Sequence, residues 1–327
     1  MKNPKISVVM SVYSEPLSWL NESINSILNQ TFKDFQLIIV NDNPKREELV
    51  QFLAKCKRSD TRVKLIKNRS NLGLATSLNK GLLKATGKYI ARMDADDISF
   101  PERFDLQYNF LETNKDVFLV GAGAEYIDES GKSYMKNVPL CSSNLIVKRL
   151  EIKNCFLHPT IMFRNEKWVR YRPKLLYVED YDLYLNLLTH NKRLMNLDKI
   201  LFKCRTSKGS IRHTKSAYQR LFQQKAKEFY IERLRTGKDS YVNFNPKTIL
   251  KINPKTSSNR LVLEGNIKSN FMVGNYVIAR QYMIKYFKLF GITNKFCIYY
   301  VASLFGQKFV NLIMSSLPQA LLRRLNE

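Results

Sequence analysis

Residues 88–103 read Lys-Tyr-Ile-Ala-Arg-Met-Asp-Ala-Asp-Asp-Ile-Ser-Phe-Pro-Glu-Arg. A short apolar run, Tyr89 to Met93, meets three carboxylates, Asp94, Asp96 and Asp97, and Pro101 closes the segment. That order predicts a buried strand ending at its carboxyl edge in an acidic loop. Asp94 and Asp96 are two apart, so a continued strand points them to one side, and a turn still lets them converge. Two hard oxygen ligands, completed by the oxygens of a diphosphate, suit Mg2+ or Mn2+. The competing reading leaves Asp94 and Asp96 as solvated turn residues and makes Asp97 a helix cap.

The chain before this stretch alternates strand and helix. Pro4 to Tyr13 is β-branched and nearly continuous in apolar character, as a parallel strand buried on both faces must be, and Ser14-Glu15-Pro16 breaks it. A helix is expected from Leu17 to about Gln30, with Leu17, Leu20, Ile24, Ile27 and Leu28 on one face. Phe35 to Asn41 reads as a second buried strand, ended by Asp42-Asn-Pro. A polar helix to about Lys57, a strand at Val63 to Lys67 and a helix from about Ala75 to Ala85 follow. This is the pattern of a doubly wound α/β sheet, in which ligands gather outside the carboxyl ends of the strands. Tyr13, Glu15, Asp42, Asp94 and Asp96 all fall at such ends.

Upstream of the acidic loop lie Asn71-Leu-Gly-Leu-Ala-Thr-Ser-Leu-Asn79-Lys-Gly81 and then Ala85-Thr-Gly87. With these landmarks the chain, from Pro4 to about Ile211, resembles the family 2 inverting glycosyltransferases of bacterial surface-polysaccharide synthesis. The resemblance implies the GT-A fold, a Rossmann-like mixed sheet, and a nucleotide-diphosphate sugar, UDP-linked by preference, as donor. It implies that Ser11, Tyr13 and Glu15 line base and ribose and that Asp42 bonds the base. Asn71 and Arg92 join the donor site, Asp94 meets ribose or shares the metal, and Asp96 holds the metal. The chain departs from the family pattern twice. Asn43-Pro44-Lys45-Arg46 stands where relatives often carry Gly-Ser and a second acid, and Leu78 stands where many carry Arg. A phosphate contact is then left to Lys80 or Arg92.

Downstream, Glu102 to Asn114 reads as a helix, Val117 to Asp128 as a strand, and Glu129-Ser-Gly-Lys as a hairpin turn. Phe156 to Arg164 is expected to be a strand carrying His158 at its start, a histidine read as structural. Glu179 and Asp180 open a strongly apolar helix, where the macrodipole favours carboxylates in any case. The resemblance makes Asp180 the general base, with Glu179 the second choice. Relatives often place a histidine two residues after an arginine matching Arg205; here that position is Ser207, which leaves His213 as the substitute metal ligand. Lys208, Arg205 and Arg212 are the cations expected to balance the leaving diphosphate.

Of the formal charge of +26, a net of +18 falls after residue 200, where 23 Lys and Arg meet 5 Asp and Glu. An anionic partner is implied. The expected organisation is a catalytic domain over 1–214 and a basic, aromatic-rich helical region over 215–327, suited to an anionic membrane surface. Phe296 to Gln307 and Phe309 to Leu322 are both too short to span a bilayer. Five scattered cysteines without a Cys-x-x-Cys pair indicate neither disulfides nor zinc, and Met-Lys-Asn-Pro leads into a strand without a secretion leader. These features suggest a cytoplasmic enzyme, peripheral on the inner membrane face, acting on a glycan or lipid-linked glycan for capsule, lipopolysaccharide or exopolysaccharide. The rivals are a nucleotidyltransferase, which also pairs carboxylates around Mg2+, and a nucleic-acid-binding protein. The acidic loop would repel a phosphate backbone, and the basic region holds no recognised nucleic-acid module, so no nucleic-acid partner is expected.

Overall fold

The computed structural model describes residues 3–207, 215–272 and 274–306. The chain divides into two compact units. The first takes the residues up to Leu175, then Glu179–Ser207 and Ala226–Val242; the second takes Leu176–Val178, the stretch up to Lys225 and the described residues from Asn243 onward.

The first unit opens with β1 (Ile6–Val12), α1 (Leu17–Leu28), β2 (Phe35–Asn41), α2 (Glu47–Ser59), β3 (Val63–Lys67), α3 (Leu74–Lys84) and β4 (Tyr89–Met93). The four strands run parallel in the order β3-β2-β1-β4. Ile6, Val8, Val9, Met10 and Val12 are all buried, which is why β1 shows no polar alternation. Gly81 lets α3 down onto the sheet: a Cβ there would lie 2.4 Å from Val9 Cγ1. Gly87 approaches β1 as closely, its N–H donating to Ser7 Oγ at 2.8 Å.

Beyond the acidic turn come β5 (Ile98–Ser99), α4 (Arg103–Thr113), β6 (Val117–Ile127), β7 (Ser133–Asn137), α5 (Ser143–Ile152), β8 (Met162–Arg164), α6 (Glu179–Thr189) and β9 (Arg193–Arg205). β8 runs antiparallel between β4 and β6, β6 pairs β9 in parallel, β5 closes antiparallel on β9, and β7 forms the expected hairpin with β6. The result is the mixed sheet the sequence implied, nine strands with most of the core on β1, β2, β4 and β6.

One strand is shorter than expected. His158–Thr160 is a 3-10 turn, and only Met162–Arg164 pairs as strand. Pro159 has no N–H to give a ladder, and Thr160 Oγ1 is bonded to Leu157 O at 2.8 Å and to Ala122 N at 3.1 Å, which fixes the turn. Asp97 caps no helix: Ile98–Ser99 continues as strand.

The long helix α7 (Ser216–Thr236) contributes its residues from Ala226 to the first unit. An ion network explains why 226–242 belongs there rather than with the region after 215. Arg172 pairs with both Asp182 and Asp239, and Arg233 pairs with Asp239. The second unit contains α8 (Lys247–Leu250), α9 (Arg260–Met272), α10 (Tyr276–Phe290) and α11 (Asn294–Leu304). Leu263, Ile267 and Phe271 of α9, Ala279, Met283 and Tyr286 of α10, and Phe296, Tyr299 and Ala302 of α11 make its core. Among the described residues no helix is long and apolar enough to cross a membrane.

Candidate active site

The carboxyl ends of β1, β2 and β4 deliver the side chains expected there. After β1, the Tyr13 N–H donates to Glu15 Oε2 at 2.8 Å, curling the loop so that the Glu15 carboxylate turns inward. Burial pushes the Glu15 carboxyl up, against the Tyr13 bond, and Asp94 adds to the rise. Ser11 is half-buried at the end of β1 and Tyr13 is exposed. The departure at 43–46 has a structural use that sequence reasoning missed. Asn43 Nδ2 donates to Tyr13 O at 3.1 Å and Arg46 Nη1 to Glu15 O at 2.7 Å, so the segment holds the β1 loop.

Asp42, after β2, is buried and has three protein donors. Leu72 N and Asn68 Nδ2 reach Oδ1 at 2.8 and 2.7 Å, and Gly73 N reaches Oδ2 at 2.9 Å. The exposed Asn71 braces the same loop, its Oδ1 taking the Gly73 N–H at 2.9 Å. Lys80 Nζ is held by Asn68 Oδ1 at 2.8 Å. Leu78 is fully buried in the α3 face, which accounts for an apolar residue at that position.

After β4 the chain turns, and single ligand oxygens of Asp94, Asp96 and Asp97 all lie within 4.8 Å of one another. Burial, then Asp94 and Glu15, push Asp96 up to about 7. Asp97 is also driven well above the ordinary carboxylate range by burial and by Asp96 and Asp94, although its Oδ1 accepts the Arg205 N–H at 2.7 Å. Three crowded carboxylates, with Asp96 and Asp97 each raised by their acidic neighbours, form a hard oxygen donor set whose repulsion a divalent cation would relieve, so the residues fit Mg2+ or Mn2+. Ser23 Oγ anchors the turn from below, donating to Asp94 O at 2.7 Å.

Arg92 lies beneath the carboxylates, 2% exposed, paired with Asp94. Among the described residues its Nε has no hydrogen-bond partner. Arg103 backs it, Nη2 donating to Arg92 O at 2.9 Å, and burial followed by Arg92 brings the Arg103 guanidinium down to about 9. Arg205, expected at the diphosphate, is engaged in the scaffold. Its Nε donates to Asp96 O at 3.0 Å, Nη2 pairs with Glu22 at 2.5 Å, and the guanidinium lies over Trp19 at 5.0 Å. His213, Lys208 and Arg212 lie outside the described residues.

The second acidic pair opens α6. Asp180 Oδ2 accepts Asn154 Nδ2 at 2.6 Å and Oδ1 accepts the Tyr181 N–H at 2.7 Å. Burial raises the Asp180 carboxyl; burial and then Asp180 push Glu179 up to about 7. Arg92 acts on both and Asp94 acts on Glu179, so one buried guanidinium lies in the field of both acidic groups. The helix is pinned by Arg172 on Asp182. Asn79 clamps the preceding loop through Tyr171, with Nδ2 on Tyr171 O at 2.8 Å and Oδ1 on Tyr171 N at 2.9 Å. His158 Nε2 shares a 2.8 Å hydrogen bond with the Tyr171 hydroxyl, and burial and then Arg92 hold its pKa well below the ordinary range. A neutral histidine in that bond is the structural one expected. Nothing in the sequence around Asn154 signalled its contact with Asp180.

The model of glycosyl transferase family 2 matches residues 7–173. The O-antigen biosynthesis glycosyltransferase WbnJ of Escherichia coli is 35% identical over 237 residues, which covers 71% of this chain and 91% of WbnJ. The amylovoran biosynthesis glycosyltransferase AmsE of Erwinia amylovora is 34% identical over 209 residues, 63% of this chain and 77% of AmsE. Among solved structures, Staphylococcus aureus TarS 1–349 in complex with UDP-GlcNAc superposes with a TM-score of 0.56 at 16% identity, covering 91% of this chain and 90% of that one. The mannosyltransferase PcManGT of Pyrobaculum calidifontis, in complex with GDP-Man and Mn2+, gives 0.54 at 13% identity over 95% and 86%. At those identities the likeness shows the GT-A fold alone.

Proposed function

Since the chain belongs to glycosyltransferase family 2, we propose that it transfers a sugar from a UDP-linked donor to a hydroxyl of a glycan or lipid-linked glycan, inverting the anomeric carbon, in bacterial surface-polysaccharide synthesis. The observation that carries this reading is two acidic groups in the field of one buried guanidinium: the Asp94, Asp96 and Asp97 turn, where Arg92 pairs with Asp94, and Glu179 with Asp180 at the start of α6, on which Arg92 acts through its charge. The named roles of WbnJ and AmsE in O-antigen and amylovoran biosynthesis support the pathway class. The complexes of TarS with UDP-GlcNAc and of PcManGT with GDP-Man and Mn2+ support a nucleotide-sugar donor and a divalent metal.

Direct displacement needs a group that takes the acceptor proton on the face opposite the leaving diphosphate. Asp180 fills that role, and its burial, which raises its basicity, suits it to take a hydroxyl proton. As the sugar–oxygen bond to the diphosphate breaks, the acceptor oxygen bonds the anomeric carbon and its proton passes to Asp180. Asp94 and Asp96 would hold Mg2+ or Mn2+, with Asp97 completing the acidic turn, and the ion's charge would neutralise the departing diphosphate. Glu15 and Tyr13 line the nucleoside side, and Asp42 acts by shaping the Asn68–Gly73 loop against it. The basic C-terminal region supports work at the inner face of the cytoplasmic membrane.

Calorimetric titration of UDP with Mn2+, then with EDTA, and again with Asp96→Ala tests the donor half. Micromolar binding that needs both metal and Asp96 is expected; binding indifferent to both refutes it. Turnover separates the rivals: UDP as product supports sugar transfer, whereas pyrophosphate supports nucleotidyl transfer.

A further inference from the structure

The second unit uses its aromatic residues in two different ways. Phe271, Tyr286, Phe296 and Tyr299 fill the space between α9, α10 and α11, with Phe271 and Tyr299 stacked at 4.3 Å. The turn from α10 to α11 does the reverse. Leu289, Phe290 and Ile292 are 49%, 41% and 76% exposed. They flank Gly291, whose φ of 81° takes the chain through a left-handed turn that favours glycine. Three large apolar side chains at one tip form a local patch rather than scattered surface residues.

Cations stand at the same tip. Lys288 is exposed beside Leu289, and Lys295 lies in the first turn of α11. Lys285, one turn back, rests its ammonium on the carbonyls of Thr256 and Ser257 at 3.0 and 3.1 Å, which leaves its charge uncancelled by any carboxylate in those bonds. From Gly265 to Gly306 the sequence carries five Lys and Arg and no Asp or Glu. A protein partner with an apolar pocket would not call for so consistent a charge. The interfacial zone of an anionic bilayer does, since the acyl boundary takes the apolar side chains while the headgroup phosphates take the ammonium groups.

We propose that the α10–α11 turn is a membrane-docking tip that seats Leu289, Phe290 and Ile292 in the interface of an anionic bilayer, with Lys288 and its neighbours on the headgroup phosphates. This deepens the reading of an enzyme working at a membrane surface and rests on it for its purpose. The contact is peripheral, in keeping with the short described helices.

The test is sedimentation of the full chain with vesicles of phosphatidylcholine alone and of phosphatidylcholine mixed with phosphatidylglycerol. Salt-sensitive binding to the mixed vesicles alone is expected. Phe290→Glu combined with Ile292→Glu lowers it about tenfold, since acidic side chains at the tip both lose apolar burial and meet phosphate. A Phe290→Trp variant keeps binding, and relative to the parent chain its added emission shifts to the blue on mixed vesicles and is quenched by brominated lipid. Vesicle binding that survives the double substitution, or a tryptophan at 290 that is neither shifted nor quenched, overturns the proposal and hands the contact to another surface, residues 307–327 included. Self-association that the same double substitution dissolves overturns it in favour of a second copy of the chain. UDP binding with Mn2+ is read in the same samples. Bound UDP without vesicle binding sinks the docking tip alone, and vesicle binding without UDP sinks the glycosyltransfer reading alone.

Discussion

The backbone N–H of Arg205 donates to Asp97 Oδ1 at 2.7 Å, tying the end of β9 to the acidic turn after β4. The guanidinium of the same residue bonds Asp96 O and Glu22 and reaches the carbonyls of Asp128 and Glu129. Arg205 is therefore a brace for the acidic turn. Arg205→Ala strips four acceptors of their donor and is expected to lower stability by about 2–4 kcal/mol, together with UDP affinity. Urea unfolding and UDP titration read both. Loss of UDP binding at undiminished stability would instead place the guanidinium on the diphosphate.

Asp42 is expected to act through its loop. Asp42→Asn replaces one acceptor oxygen by an NH2 group, so one of the three N–H donors from Leu72, Gly73 and Asn68 faces a donor. A loss of about 1–3 kcal/mol follows from an unsatisfied buried group. Hydrogen exchange at the Leu72 and Gly73 amides is expected to quicken even without nucleotide. Unchanged exchange with weakened UDP binding would mean that Asp42 serves the base directly.

The parallel half of the sheet was legible because β1, β2 and β4 carry nearly unbroken β-branched and apolar runs, and a strand buried on both faces needs that. The acidic turn was legible for the same reason: its carboxylates abut such a run. Strand β9 was not, because Asn196, Asp198, Lys199 and Lys203 interrupt its apolar residues where its pairing with β6 shifts register. The scaffold contacts of Arg205 and the burial of Arg92 against Asp94 were equally hidden. A cation near a phosphate site and a cation bracing that site look alike in sequence, and only burial and partners separate them. Asn154 lies 26 residues from Asp180, too far for any local pattern to link them.

Glu179 links pH to stability. Burial and Asp180 hold its folded pKa at about 7, above the usual 4.5, so the folded state binds this proton more tightly than the unfolded one. The stability that this protonation contributes is full below the unfolded value and is lost as pH rises through about 7. Glu179→Gln removes the titrating group and is expected to raise stability at pH 8 by about 1–2 kcal/mol while changing little at pH 4. Thermal melts of the two proteins across that range check it; a parallel pair of stability curves would show that Glu179 ionises freely.

Asn154 is expected to set the pH at which Asp180 can act. Its Oδ1 takes the Phe156 N–H at 3.0 Å, which fixes the amide so that Nδ2 points at Asp180 Oδ2 at 2.6 Å. Burial raises the Asp180 carboxyl, and the Asn154 bond opposes that rise by favouring the carboxylate. A base works only when deprotonated, so activity falls as pH drops through the folded pKa. Asn154→Ala removes the opposing bond, raises that pKa and moves the acidic limb of kcat/KM to higher pH by about half to one unit. Glu179 and Asp180 titrate as a pair, so the limb in the parent enzyme belongs to both; repeating the profile on a Glu179→Gln background isolates Asp180. A substitution that merely disturbed packing would lower UDP release at every pH and leave the limb in place.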